Sequence, residues 1–322
     1  MSNKTAIVLF NLGGPDSQKN VRPFLLRLFS DKAILDLPWP LRRLLAELIS
    51  RTREKQAQNS YARIGGRSPI VEESQKQAKA LELLLQKRDP QGKNKCFVCM
   101  RYTEPGINTV QEKIRKWGAD KTLLLPLYPQ YSDTTTGSFF NAWEKKNRSE
   151  RPLIKIRSYE EEKSFIQAHV KKILASVKKT NPKQNLRVIY SAHGLPEKMI
   201  LAGDPYQQQI EKTCAAITRC LPATLKDVQI AYQSRVGRLK WIGPPTLDEI
   251  IRAGQDGKTA LVVPVAFVSE HVETLVELDI DYQNENKKSG GKALIRVPAL
   301  GIEPDYINCL ADLVMQALKE KQ

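Results

Sequence analysis

Two kinds of apolar run alternate along the chain. Short, β-branched or continuous stretches at 5–12, 95–102, 121–128, 186–191, 227–233, 260–268 and 292–297 predict buried strands, with a shorter one near Leu153. Between them, apolar residues recur every three or four positions, which predicts helices at 74–87, 108–117, 160–178, 206–220 and 303–319. Strand and helix in turn predict parallel sheets covered by helices. The stretch 144–152 is charged and without period, and the same order of elements resumes after it. A boundary there predicts two similar α/β domains, 1–150 and 151–302, with a cleft between them as the expected ligand site.

Three segments interrupt this rhythm. Gly13-Gly14-Pro15 ends the first strand, and Asp16 or Ser17 is placed to cap a helix. The turn lacks the spacing of a nucleotide-binding loop, so it reads as a tight turn. In 21–55, Phe24, Leu25, Leu28 and Phe29 have helical spacing, Pro38-Trp39-Pro40 breaks it, and Leu41, Leu44, Leu45, Leu48 and Ile49 resume it beside Arg42, Arg43, Arg51 and Arg53. A basic amphipathic helix next to a Trp fits a membrane-surface or partner-binding element, and an ordinary packed helix equally well. The stretches 61–69 and 129–138 read as loops, the second a polar one at a strand end, where ligand contacts gather.

One stretch departs from the usual charge pattern. On a helix following the strand at 260–268, Glu270, Glu273, Glu277 and Asp281 fall on one stripe, opposite Val272, Leu275, Val276 and Ile280. Such a helix normally interleaves Lys or Arg, because like charges four apart repel. None occurs in the 28 residues 259–286, where the average density of 51 in 322 gives about four. Acids shielded from water carry raised pKa values and attract a cation or protons. A solvated acidic face is the competing reading.

The totals narrow the class. The 322 residues carry a net charge of +16, which suits carboxylate-bearing substrates, anionic membranes or nucleic acid. The basic residues are dispersed and form no nucleic-acid-binding module, so no nucleic-acid partner is expected. Five cysteines imply no disulfide framework, and Cys96 and Cys99, three apart on a predicted strand, point to opposite faces. No apolar run reaches membrane-spanning length, so a soluble or peripheral protein is expected, and the cysteine usage fits the cytoplasm, with peripheral contact on the inner face of the cytoplasmic membrane as the further expectation.

The candidate chemistry gathers at strand ends. His193 lies just past the strand at 186–191, His271 lies within the acidic stretch, and His169 falls mid-helix. Imidazole with carboxylate can bind a borderline metal such as Fe²⁺ or Zn²⁺, and it is also an acid–base pair near neutral pH.

An ordered set of motifs spans nearly the whole chain: N-L-G-G-P at 11–15, R-I-G-G-R-S-P-I at 63–70, R-Y at 101–102, Y-P-Q-Y-S-D-T-T-T-G-S at 128–138, S-A-H-G-L-P at 191–196, G-D-P-Y at 203–206, Y-Q-S-R-V-G at 232–237 with Trp241, and S-E-H-V-E-T-L-V-E-L-D-I-D-Y at 269–282. The set closely resembles the ferrochelatases, which insert ferrous iron into a porphyrin. The resemblance implies the chelatase fold, two Rossmann-like domains each with a parallel sheet flanked by helices, with the C-terminal helix 303–320 rejoining the N-terminal domain. It implies His193 and Glu273 as the catalytic and metal-binding pair, with His193 as either metal donor or proton acceptor. Glu270, His271, Glu277 and Asp281 match the path leading from that site, on a helix that in the family contains a wider, π-type turn. Leu12, Arg63, Arg101, Tyr128, Gln233, Ser234 and Trp241 match porphyrin-contacting positions.

On this resemblance Fe²⁺ is a substrate and no prosthetic group is expected. An iron–sulfur cluster is not expected either: the chain stops at Gln322 without a cysteine-bearing tail, and Asp133 stands where some members place a Cys. Leu12, where the coproporphyrin branch has Tyr, and the apolar segment 35–49, which resembles the active-site lip (about 30–55), favour protoporphyrin IX collected from an anionic membrane. Competing expectations are a chelatase of the same fold for coproporphyrin or another divalent metal, and a non-enzymatic porphyrin or haem carrier.

Overall fold

The computed structural model describes residues 4–147, 151–179, 185–235, 237, 239–291 and 293–320. Among these residues, eight strands form two sheets of four. β1 (Lys4–Asn11), β2 (Lys93–Met100), β3 (Lys121–Pro126) and β4 (Leu153–Lys155) make the first, in the order β2-β1-β3-β4. β5 (Leu186–His193), β6 (Val228–Gln233), β7 (Thr259–Pro264) and β8 (Leu294–Arg296) make the second, in the order β6-β5-β7-β8. Every pairing is parallel. The two sheets are therefore the same topology written twice.

The helices are α1 (Val21–Phe29), α2 (Trp39–Ala62), α3 (Ile70–Arg88), α4 (Ile107–Trp117), α5 (Ser138–Lys146), α6 (Lys163–Val177), α7 (Glu197–Leu201), α8 (Tyr206–Cys220), α9 (Thr246–Gln255), α10 (Gln283–Lys288) and α11 (Pro304–Lys319). Two π-helices, Asp133–Gly137 and Glu273–Tyr282, precede α5 and α10. The chain divides into two compact units, Met1–Ser158 with Leu310–Gln322, and Tyr159–Cys309. α11 is shared, its residues from Leu310 onward belonging to the first unit. The strand near Leu153, assigned above to the second half, is β4: it pairs with Thr122–Leu124 of β3, so the division falls at Ser158 rather than at 150. Three residues show no alternation of their own, so only the partner strand assigns them.

Burial explains the elements. β1 is buried from Thr5 to Asn11 and β7 throughout, as expected of central strands covered on both faces. α4 shows how a helix is set on its sheet. Ile107, Val110 and Ile114, on one face, pack with Phe97 and Cys99 of β2, at about 1.5–3 kcal/mol for each large apolar side chain removed from water. The helix ends at Gly118, whose left-handed φ of 74° lets its N–H bond back to the Ile114 and Arg115 carbonyls. A Val110→Asp change would put an unpaired carboxylate into that contact.

α5 was not visible in the sequence. Phe139 and Trp143 are its buried apolar anchors, with Phe139 stacked on Phe10 of β1 at 3.9 Å between ring centroids and Phe140 and Ala142 partly buried beside them. Phe139 and Trp143 are four apart, but one such pair in nine residues with a charged tail is too short a signal to mark a helix. Cys99 is fully buried and Cys96 partly so, and burial pushes both thiols up.

Candidate functional site

In the second unit the chain leaves β5 toward β6 on one side and later returns to place β7 on the other. Strand order reverses between β5 and β7, and the carboxyl end of such a crossover is where open α/β sheets bind ligands. His193 is the last residue of β5. Glu273 opens the π-helix nine residues past the end of β7. The topology thus delivers an imidazole and a carboxylate to one spot: His193 Nδ1 lies 2.9 Å from Glu273 Oε2.

The residue after His193 is constrained by this packing. A Cβ on Gly194 would come within 3.1 Å of the Gln233 carbonyl and 3.4 Å of the Trp241 ring, and the Gly194 N–H donates to that same carbonyl. The His193 side chain stays 38 % exposed and that of Glu273 24 %. Burial alone would lower the His193 pKa, but the charge of Glu273, its hydrogen bond and the charge of Glu277 outweigh it, so the imidazole is held above its ordinary range. For Glu273, burial opposes ionisation, yet His193 and His271 together hold its pKa well below the usual carboxylate range. Each partner favours the charged form of the other, and the pair stays partly open to solvent.

His271 stands next to it. Its Nδ1 lies 3.1 Å from the Ser269 carbonyl, which only accepts, so Nδ1 carries the hydrogen. Its Nε2 lies 3.9 Å from Glu273 Oε2. Metal-binding imidazoles are commonly oriented in this way, by a carbonyl at the nitrogen that does not face the metal. Among the described residues no set of three or more His, Cys, Asp and Glu side chains has the geometry of a metal cage. A cation at His193 and Glu273 would complete its shell with water or with donor atoms of a substrate.

A chain of 315 residues here, 4–318, matches the sequence profile of the Ferrochelatase family. The chain belongs to the ferrochelatase family. It is 48 % identical over 318 residues to the ferrochelatase of Caulobacter vibrioides, covering 99 % of this chain and 91 % of that one. It is 45 % identical over 324 residues to that of Hyphomonas neptunium, covering 100 % and 90 %. Among solved structures, Bacillus subtilis SirB with Fe³⁺ shares the fold, with a TM-score of 0.55, 14 % identity and coverage of 98 % of this chain and 95 % of that one.

Against the ferrochelatase pattern, the acidic row divides. Glu273–Tyr282 is a π-helix, so the stripe drawn on a straight α-helix is distorted, and Glu270 precedes the helix altogether. Glu270 does not stand as an uncompensated acid. Its Oε1 accepts from Arg296 Nη1 at 2.8 Å and the Ala299 N–H at 2.9 Å, and its Oε2 from Thr274 Oγ1 at 2.6 Å. Arg296, at the end of β8, also grips Asp279 with two hydrogen bonds of 2.5 and 2.7 Å. The expectation that these acids carry raised pKa values is overturned at both positions where a shift is resolved. Burial would raise Glu270, but the Arg296 charge and these hydrogen bonds hold it low, and Glu273 is held low by its histidines. The base missing from 259–286 comes from the next strand, where a window along the helix could not show it.

Glu277 is enclosed in a different way. Its Oε1 accepts from the Ser234 N–H at 2.8 Å and Tyr282 Oη at 2.7 Å; its Oε2 accepts from Gln233 Nε2 at 3.1 Å and Ser234 Oγ at 2.5 Å. Asp281 lies half-buried on the same π-helix.

The expected porphyrin contacts are unlike one another. Gln233 is 1 % exposed, and its amide is used inside the protein: Nε2 donates to the Glu273 carbonyl and Glu277, and Oε1 accepts from Ser191. Its amide is turned inward, toward the π-helix, and almost none of it reaches the surface. Ser234 and Trp241 are half-buried, and Trp241 bridges to Pro196. In the first unit Leu12 and Tyr128 are half-buried at the ends of β1 and β3, and Arg63 is exposed at the end of α2. Arg101 is engaged: its guanidinium meets Asp31 at 2.5 Å and Ser138 Oγ at 2.8 Å, and Tyr102 Oη donates to the same Asp31. Burial opposes ionisation of Asp31, but Ser138 and Arg101 keep its pKa low.

Asp31, Thr274, Asp279, Tyr282 and Arg296 were all missed by the sequence reading. Only Tyr282 had a signal, since it stands five residues past Glu277 where one π turn brings it level.

Proposed function

We propose that this metal chelatase inserts ferrous iron into protoporphyrin IX, releasing two protons and forming protohaem. The observation that carries the reading is the contact of His193 and Glu273 at the strand crossover of the second unit. Metallation exchanges two pyrrole protons for one divalent cation, so the site must offer both a metal donor and a proton acceptor. Two nitrogens and a carboxylate within a few ångströms meet that need without redox chemistry or a nucleotide. Fe²⁺ reaching this pair is held by the neutral His193 imidazole and Glu273, facing the macrocycle, and it displaces any proton that His193 carries. His271, whose Nε2 lies 3.9 Å from Glu273 Oε2, is the next donor outward. Protons leave by way of the acids beyond the pair, and Glu270, anchored to Arg296, serves chiefly to hold the path's entrance.

The substrate's source belongs to the same proposal. Trp39, Leu41, Leu44 and Leu48 on α2 are between 57 % and 71 % exposed, and the leucines lie on one helical face beside Arg42 and Arg43. Such a face, apolar with a basic margin, fits the headgroup region of an anionic bilayer, from which an insoluble porphyrin is collected. No helix among the described residues is long and apolar enough to cross a membrane.

The test is anaerobic incubation with Fe²⁺ and protoporphyrin IX, watched by absorption. Appearance of the haem spectrum supports the reading. Metallation of coproporphyrin alone, or of protoporphyrin by Co²⁺ or Zn²⁺ but not Fe²⁺, would replace the substrate or the metal. Tight porphyrin binding with no metallation by any of these would make the chain a carrier.

A further inference from the structure

Ser234 is the one non-glycine residue among those described with a left-handed backbone, at φ 64°. That conformation strains any residue with a Cβ, and strain of this kind persists only where the surroundings enforce it. A glycine would adopt it freely. What a serine adds here is its hydroxyl, and the hydroxyl lies between two carboxylates: Oγ is 2.5 Å from Glu277 Oε2 and 3.3 Å from Glu273 Oε2. The same residue's N–H donates to the other oxygen of Glu277 at 2.8 Å. One residue thus grips both oxygens of Glu277 while its hydroxyl also reaches the Glu273 oxygen that meets His193.

The support behind Ser234 is buried and polar. Ser234 follows Gln233, the last residue of β6, whose amide donates to the main-chain carbonyl of Glu273 and to Glu277. Gln233 is held in turn by Ser191 on β5, and Ser191 Oγ lies 2.9 Å from Thr246 Oγ1 at the start of α9. All three supporting residues are buried. Such a chain fixes the amide orientation and, through it, the first residue of the π-helix.

We infer that Ser234 is a positioning residue for the metal-insertion reaction: its left-handed turn and hydroxyl set the separation and orientation of Glu273 and Glu277, rather than serving mainly as a contact for the macrocycle. The inference rests on the proposed function and adds to it the reason why an unfavourable serine stands at the tip of β6. A misplacement of about 1 Å in such a pair costs on the order of 100-fold in rate.

Two variants separate the backbone from the hydroxyl. Ser234→Gly removes the strain and the hydroxyl but keeps the N–H; Ser234→Ala removes the hydroxyl and keeps the strain. Both should bind protoporphyrin with the wild-type Kd, measured by fluorescence, and with a KM within about twofold of wild type. Both should lose kcat by on the order of 10- to 100-fold. Ser234→Gly should melt at or above Ser234→Ala, because only it relieves the turn. A crystal structure of Ser234→Gly should show the Glu277 carboxylate moved relative to Glu273. Wild-type kcat in Ser234→Gly would overturn the proposal, and so would a raised KM or lost porphyrin binding with kcat intact, which would make Ser234 a substrate contact. If the wild-type protein itself forms no haem, the functional reading fails separately. The crystal structure then decides alone, and an unmoved Glu277 overturns the positioning role.

Discussion

The two units of this ferrochelatase carry one plan with two endings. Each has a four-stranded parallel sheet in the same order, and each follows its third strand with a π-helix. In the first unit the crossover strands end at Asn11 and Pro126, and the π-helix Asp133–Gly137 is short and rich in hydroxyls, with Thr134 and Thr136 buried. In the second they end at His193 and Pro264, and the π-helix is ten residues long and begins with Glu273. All three histidines lie in the second unit. The shared plan supplies a crevice; the side chains at its rim decide whether the crevice does acid–base and metal chemistry.

The sharpest way to break that contrast is to strip the second crevice of its imidazole. His193→Ala should fold and bind porphyrin but lose metal insertion by about 10³-fold, read by single-turnover absorption under anaerobic conditions. Near-normal turnover would mean that the two crevices do not differ in the way described.

The second unit also depends on a buried cation at its β8 edge. Arg296→Met should destabilise that unit by about 3 kcal/mol, because it leaves Glu270 and Asp279 facing each other without their partner. Denaturant unfolding followed in the second unit would register it, and an unchanged midpoint would show that both acids had found water.

Acid should separate the units further. His169 on α6 is buried against Phe165, its Nε2 has no partner among the described residues, and burial pushes its pKa down to about 3. The unfolded chain takes up this proton below about pH 6.5 and the folded unit does not, so stability is lost as pH falls through that window. Between pH 6.5 and 4.5 the loss from this residue is roughly 2–3 kcal/mol, and His169→Leu should remove it from the pH dependence of unfolding. His193 works in the opposite sense. Its pKa is raised in the folded state, so its stabilisation is complete below the ordinary histidine value and is lost as pH rises through the folded one. In activity the same pairing has a cost at low pH: turnover that needs the neutral imidazole should fall as pH drops through a value above 6.5.

The smallest effect on the fold belongs to the first unit's own distinguishing feature. Replacing Leu41, Leu44 and Leu48 with Ser should change stability by no more than about 0.5 kcal/mol for each substitution, since all three are exposed. Sedimentation with anionic vesicles should nevertheless fall at least tenfold, and unaltered vesicle binding would remove the membrane from the account.

Much of this difference was legible in the residues. β1, β5 and β7 announce themselves as apolar runs, α8 was placed to the residue, and His193 could be located because it stands at the end of a strand. What escaped reading depends on neighbours distant in sequence. β4 is defined by its pairing with β3, α5 by a ring stacked on Phe10, and the charge balance of Glu270 by an arginine 26 residues later. Gln233 matched a porphyrin position by motif, but its burial appears only when the π-helix folds over it. Periodicity reports which face of an element is apolar; it does not report which partner covers the polar atoms.

The central claim concerns charge at one carboxylate, and Glu273→Gln tests it most directly, since it preserves shape while removing the anion that pairs with His193. In an anaerobic single turnover with Fe²⁺ and bound protoporphyrin IX, the variant should show the unchanged bound-porphyrin spectrum and no haem on the wild-type time scale. Haem formation at the wild-type rate would contradict the account.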